Sequence, residues 1–164
     1  MAALPDRAQV VVIGAGIVGN SMVYHLARLG WHDIVLIEKA TPDALLPAIA
    51  QWRASVCFTA PTSYRAMAAQ AAQHDLSSLR KGYYGASIMP VAVMRELTQR
   101  LPQMRLWNFY GQTEIAPLAT VLKPEDQLRK PGSAGRPVLN VETRVGDDAM
   151  REVAPGEIGE IVHR

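Results

Sequence analysis

An apolar run, Gln9-Val10-Val11-Val12-Ile13, opens directly into Gly14-Ala15-Gly16-Ile17-Val18-Gly19, and this junction constrains the fold more than any other feature. A helical stretch follows, then a second apolar run, Asp33–Ile37, that ends on Glu38, 19 positions beyond the last glycine. Glycines at this spacing between a strand and a helix, with an acid at the tip of the next strand, meet the requirements of a dinucleotide-binding unit. Gly14 permits the tight turn, Gly16 lets backbone approach a pyrophosphate, and Gly19 lets helix and strand pack closely. Glu38 can accept a hydrogen bond from a ribose hydroxyl. The pyrophosphate would lie over the helix N-terminus, where free N–H groups and partial positive charge favour it. The same glycines can also serve a tight strand-to-helix turn that holds no ligand.

Past this unit, strand and helix patterns alternate. The expected strands are Val10–Ile13, Ile34–Ile37, Val56–Thr59, a segment near Gly82–Ala86, and Leu106–Tyr110. The first helix should span Ile17–Leu29, with Val18, Met22, Leu26 and Leu29 on its buried face. Thr41-Pro42 starts the second as an N-cap and first helical residue, with Leu45, Leu46, Ile49 and Trp52 inward. Pro61 starts the third, and the fourth runs Pro90–Leu101. The fold class expected is α/β: a Rossmann-like, three-layer, mostly parallel five-stranded sheet covered by helices on both faces. After Gly111 the pattern changes to short strands at Ala119–Leu122, Val141–Val145 and Glu160–His163, separated by Pro- and Gly-rich loops. The division expected is therefore a domain over 1–112 and a small antiparallel appendage over 113–164. If the strand order were 3-2-1-4-5, the glycine loop and the ends of strands four and five would share one crevice.

Composition narrows the function. With 49% hydrophobic residues the chain can bury a core. A net charge of +2, with Lys and Arg dispersed, argues against nucleic acid as a partner. No apolar stretch is long enough to span a membrane, and a basic leader is absent, so a cytoplasmic location is expected. Cys57, the single cysteine, lies in an apolar run and reads as a buried strand residue; it suits a reducing compartment. His25, His32, His74 and His163 are scattered without metal-ligand spacing. Trp31, Trp52 and Trp107 read as packing residues. Apolar residues of the tail (Val121, Leu122, Val141, Ile161) could leave an exposed strand edge and favour a homodimer.

Two stretches carry resemblances. Residues 7–39 resemble the start of FAD-dependent amine oxidoreductases of the dimethylglycine and sarcosine dehydrogenase group, through Val10–Gly19, Tyr24-His25-Leu26-Ala27 and Ile34–Lys39. That resemblance implies FAD, with its pyrophosphate on Gly14, Gly16 and Gly19 and its adenosine ribose on Glu38. Residues 41–164 resemble the middle of an acyl-CoA synthetase of the adenylate-forming superfamily. The carriers are Phe58-Thr59-Ala60-Pro61-Thr62, Gly82–Ser87, Asn108-Phe109-Tyr110-Gly111-Gln112-Thr113-Glu114, Gly132–Pro137 and Pro155–Ile161. This second resemblance implies an adenine nucleotide, ATP or AMP with magnesium. Gly85, Ala86 and Ser87 would lie against adenine, Tyr110 with Gly111 would stack on it, Thr113 would bond a phosphate, and Glu114 would help hold the metal. Read without it, Thr113 and Glu114 are equally polar residues of a surface turn.

The two resemblances together imply a chimera joined near Lys39–Thr41, with neither parent chemistry complete. The leading expectation is an adenine-nucleotide-binding α/β domain without efficient catalysis, its partner a small-molecule nucleotide. Residual ATP-dependent acyl-CoA ligase activity and a ligand-free scaffold are the alternatives.

Overall fold

The computed structural model describes residues 5, 7–13, 17–37, 41–115 and 118–164. Its elements run β1 (Val10–Ile13), α1 (Ile17–Arg28), β2 (Ile34–Ile37), α2 (Pro42–Trp52), β3 (Val56–Phe58), α3 (Pro61–Gln70), β4 (Lys81–Gly85), α4 (Val91–Arg100) and β5 (Arg105–Tyr110). They continue with β6 (Thr120–Leu122), β7 (Arg136–Pro137), β8 (Thr143–Gly146) and β9 (Glu160–His163). The expected α/β class is observed: a central, mostly parallel sheet with a small antiparallel sheet at the C-terminus. Among the described residues, no helix is long and apolar enough to cross a membrane.

The central five-stranded sheet is not built from the five strands expected. Its order is β3-β4-β5-β6-β7, with β3, β4 and β5 parallel and the last two antiparallel. Strands β1 and β2 pair in parallel with each other, Val10 opposite Ile34 and Ile13 opposite Ile37, as a separate two-stranded ladder. The order 3-2-1-4-5 is thereby corrected. Strand β4 is bonded along one edge to β3 and along the other to β5, so neither edge is left for β1. Strands β6 and β7 extend the central sheet, and β8–β9 forms the antiparallel C-terminal pair.

Alternation along β3–β5 sorts side chains to two faces. Cys57, Tyr84 and Leu106 point into a core shared with α2, α3 and α4, where Leu46, Tyr64, Met67, Leu79 and Leu97 are fully enclosed. Gly82 belongs to this face because Tyr64 occupies its space. A Cβ there would lie 2.8 Å from Leu106 Cδ2 and 2.9 Å from the Tyr64 hydroxyl. That hydroxyl donates 2.8 Å to the Cys57 carbonyl, so a ring from α3 closes over the backbone of β3. Burial pushes the Cys57 thiol up to about 11, which keeps it protonated and inert, as its apolar setting led one to expect.

The opposite face carries Val56, Phe58, Tyr83, Trp107 and Phe109. Tyr83 stacks on Phe109 at 4.9 Å and meets Trp107 edge-on at 5.3 Å. Helices on both faces were expected, yet among the described residues none covers this aromatic row, and Phe58 is 62% exposed.

Helix α2 links the two parallel ladders. Leu45, Leu46 and Ile49 enter the main core, while Ala48 and Trp52 pack on Val35, with Ala8 and Val11 alongside. The Trp52 indole donates 2.8 Å to the Pro5 carbonyl. Of the other two tryptophans, Trp107 packs on Tyr83 but Trp31 is largely exposed. Thr41 is the N-cap residue of α2 in extended backbone and Pro42 opens the helix, as expected, although no side-chain hydrogen bond closes the cap. One further expectation is corrected. Helix α1 is more exposed than expected, with Met22 at 50% and Leu29, just past its end, at 76%; it packs chiefly on β1 and β2.

Candidate functional site

The candidate site lies where the parallel strands β4 and β5 end, the edge at which open α/β sheets bind ligands. Strand β4 finishes on Gly85, whose absent side chain lets two backbones close up. A Cβ there would sit 2.6 Å from the Phe109 carbonyl oxygen. Ala86 then turns with φ at 66°, a left-handed conformation that costs an alanine about 1 kcal/mol. Strain of this kind collects at ligand clamps. The turn brings Ala86, Ser87 and Ile88 against Asn108, Phe109, Tyr110 and Gly111 of β5 and its exit. Gly132 and Ala134 from the loop before β7 complete a cleft of about 350 Å³.

The far wall is fixed by hydrogen bonds. Thr120 Oγ1 donates 2.5 Å to the Ala134 carbonyl, Gly135 N donates 3.1 Å to Ser133 Oγ, and Asn108 Nδ2 reaches the Ser133 carbonyl at 3.5 Å. Gly135 is required there. Its φ is +92°, and a Cβ would fall 2.1 Å from the Val121 carbonyl. Beneath the cleft, the Tyr84 hydroxyl donates 2.6 Å to Gln127 Oε1, and Gln127 Nε2 donates 2.9 Å to the Leu122 carbonyl. Burial raises the Tyr84 phenol to about 12, so it remains a donor. Tyr110 is flanked by His163 of β9, ring centroids 6.1 Å apart, and the His163 Nδ1 lies 3.0 Å from Thr143 Oγ1.

The sequence-derived candidates divide into three groups. Ala86, Ser87, Tyr110 and Gly111 line one cleft, and Gly85 makes its close approach possible. Thr113 and Glu114 lie just beyond, in an exposed 3-10 turn over Thr113–Ile115 that does not line the cleft. Among the described residues, no cluster of three His, Cys, Asp or Glu side chains could hold a metal ion by itself. Gly14, Gly16 and Glu38 lie outside the described residues, while Gly19 is buried within α1. A crevice shared by the glycine loop and Tyr110 had required β1 beside β4, and that pairing is absent among the described residues. Sequence reasoning did not assign Asn108, Gly132 or Ala134 to the site. The Gly-Ser-Ala-Gly run at 132–135 was the available signal.

Known proteins agree with this geometry. A family model described as AMP-binding enzyme matches residues 16–164. An indoleacetate–CoA ligase of Aromatoleum aromaticum is 38% identical over 133 residues, 80% of this chain and 26% of the ligase. An amide bond synthetase from Marinactinospora thermotolerans superposes with a TM-score of 0.80 at 27% identity, over 100% of this chain and 33% of the synthetase. An anthranilate CoA ligase solved with anthranoyl-AMP gives 0.71 at 29% identity, over 82% of this chain and 26% of the ligase. A shorter match stands apart: 37 residues, 23% of the chain, are 60% identical to a mitochondrial pyruvate dehydrogenase phosphatase regulatory subunit of Mus musculus, covering 4% of that protein. The chain thus spans between a quarter and a third of the ligase and synthetase relatives it matches. With the family model matching from residue 16, at the start of α1, through the strand ends that shape the cleft to residue 164, the chain belongs to the AMP-binding enzyme family.

Proposed function

We propose that this chain forms the adenylate-facing part of an acyl- or aryl-CoA ligase, and that it binds AMP or ATP in the cleft at the ends of β4 and β5. The observation that carries this reading is the strained turn at Ala86, which sets Ser87 opposite Tyr110 and Gly111 across one concave surface. An aromatic ring facing open backbone across a narrow cleft suits a flat base. On this reading Gly85, Ala86 and Ser87 contact adenine and Tyr110 stacks on it. Thr113 bonds a phosphate oxygen, and Glu114 meets the magnesium that accompanies the phosphates. The names of the relatives support a carboxylic acid as the second substrate, activated to an acyl-adenylate.

The chain by itself binds nucleotide without efficient turnover, because a single carboxylate and hydroxyl beside β5 supply little of the electrostatic stabilisation that phosphoryl chemistry needs. Calorimetric titration with AMP tests the binding. Saturation that Tyr110→Ala abolishes is expected, and its absence at millimolar AMP refutes the reading. Acid-dependent pyrophosphate release, lost in Glu114→Gln, would be the corresponding assay for activation.

A second reading concerns the opening unit alone. The 60% identity over 37 residues stands well above the 38% of the ligase match, which favours separate descent for a short part of the chain, hence a chimera. The resemblance of residues 7–39 to FAD-dependent amine oxidoreductases, not the name of that relative, is what would put FAD on Gly14, Gly16, Gly19 and Glu38. Quenching of flavin fluorescence by the chain, reversed in Gly16→Val, is the outcome this reading requires.

A further inference from the structure

The loop at 132–135 separates two clefts. Gly132 and Ala134 face the one against Tyr110, whereas Ser133 and Gly135 face a second, of about 300 Å³, between β6, β7 and the turn at Pro124–Asp126. Four cations line this second cleft: Lys123, Arg129, Lys130 and Arg136. Its two acids are already engaged, Glu125 with Arg105 at 3.3 Å and Asp126 with Arg129. Lys123, Lys130 and Arg136 enter no ion pair among the described residues. Their fields converge. The hydrogen bond from Arg129, together with the charges of Arg129, Lys130 and Arg136, holds the Asp126 carboxyl below its usual range.

Four cations against two carboxylates leave this concavity with excess positive charge, and Lys123, Lys130 and Arg136 repel one another although Asp126 offsets part of the charge of the last two. A small anion of charge two or more relieves that repulsion and meets all three. A nucleic acid strand fits less well, since the cations are gathered in a pocket instead of along a track and the net charge of the chain is only +2. We propose that this cleft is a second ligand site, distinct from the nucleotide cleft, which takes a phosphate group, either free or as a monoester. Lys130 and Arg136 grip the oxygens, and Lys123 closes the third side.

Titrations with inorganic pyrophosphate and with glycerol 3-phosphate, followed by amide chemical shifts at low ionic strength, test the site. Saturable shifts should centre on residues 121–136 and persist in Tyr110→Ala, which separates this site from nucleotide binding. A response to pyrophosphate alone marks a free anion as the ligand, and a response to both marks the ester group. Lys130→Ala/Arg136→Ala should weaken binding by about fivefold for each charge removed. Arg65→Ala/Arg95→Ala, which removes two exposed cations elsewhere, should leave it intact. Equal loss in both pairs, or no saturation with either probe at millimolar concentration, overturns the proposal.

Discussion

Replacing Tyr84 by Phe removes one oxygen and nothing else, and the structure fixes what that oxygen does. Tyr84 and Gln127 are 2% and 4% exposed, and their 2.6 Å hydrogen bond continues through Gln127 Nε2 to the Leu122 carbonyl of β6. The phenylalanine variant loses the bond and leaves Gln127 Oε1 in a dry interior. A lost neutral bond costs about 1 kcal/mol, and an orphaned buried acceptor raises the total to about 2 kcal/mol. For a chain of this size the melting temperature should fall by about 4–8 °C. Gln127→Leu strands the Tyr84 hydroxyl in the same way and should cost about as much.

The decisive measurement is the double variant. Tyr84→Phe/Gln127→Leu places apolar groups on both sides of the broken bond; the Leu122 carbonyl loses its Gln127 donor equally in the single and the double variant, so the pair should still be less costly than the two single changes combined by about 2 kcal/mol. Urea denaturation followed by far-ultraviolet circular dichroism gives all three values. Strict additivity, or a Tyr84→Phe variant within about 0.5 kcal/mol of the parent chain, would refute the reasoning. Either result would mean that water already satisfies these groups.

Alkaline pH gives a second test. The thiol of Cys57 and the phenol of Tyr84 have folded values near 11 and 12, against 9.0 and 10.0 for the free groups. The unfolded chain loses these protons first, so stability is full below pH 9.0 and declines as pH rises toward 12, as denaturant midpoints should show. Alkylation of Cys57 should be slow in the native state at neutral pH and fast in urea. Gly135→Ala should cost about 3 kcal/mol or more, because positive φ and the Val121 carbonyl oppose it together, whereas Gly132→Ala meets no atom within 4 Å and should cost about 1 kcal/mol in thermal melts. Phe58→Ser, at a 62% exposed site on the aromatic row, should leave the melting temperature within about 2 °C.

Local chemistry was legible in the sequence. Pro61 and the apolar spacing of α3 and α4 placed those helices to within a residue or two. Strand order could not. A run such as Val10–Ile13 has the composition of a buried parallel strand whichever neighbour it pairs with, and only the filled edges of β4 decide the matter. Leu122 shows the same limit from the other side. Expected at an exposed edge, it is 4% exposed because β6 docks on β5 and Gln127 caps its carbonyl, a contact no periodicity encodes. The left-handed turn at Ala86 left no compositional trace either, since alanine rarely marks such a position.

Helix α2 explains how a glycine-rich opening unit is accommodated at all. An amphipathic helix normally has one apolar face, but here Leu45, Leu46 and Ile49 serve the main core while Ala48 and Trp52 serve the β1–β2 pair. The two ladders therefore need no hydrogen bonds to each other. Any strand–helix–strand unit that offers small or branched side chains at Val11 and Val35 can pack there through shape and burial alone. Its sequence is then free to vary far more than that of β4 and β5, where Gly82 and Gly85 are fixed by sub-3 Å approaches. The two parts of the chain are thus held differently: β4 and β5 by the sub-3 Å approaches at Gly82 and Gly85, the β1–β2 pair by burial of Val35 against Ala48 and Trp52 and by the Trp52–Pro5 hydrogen bond.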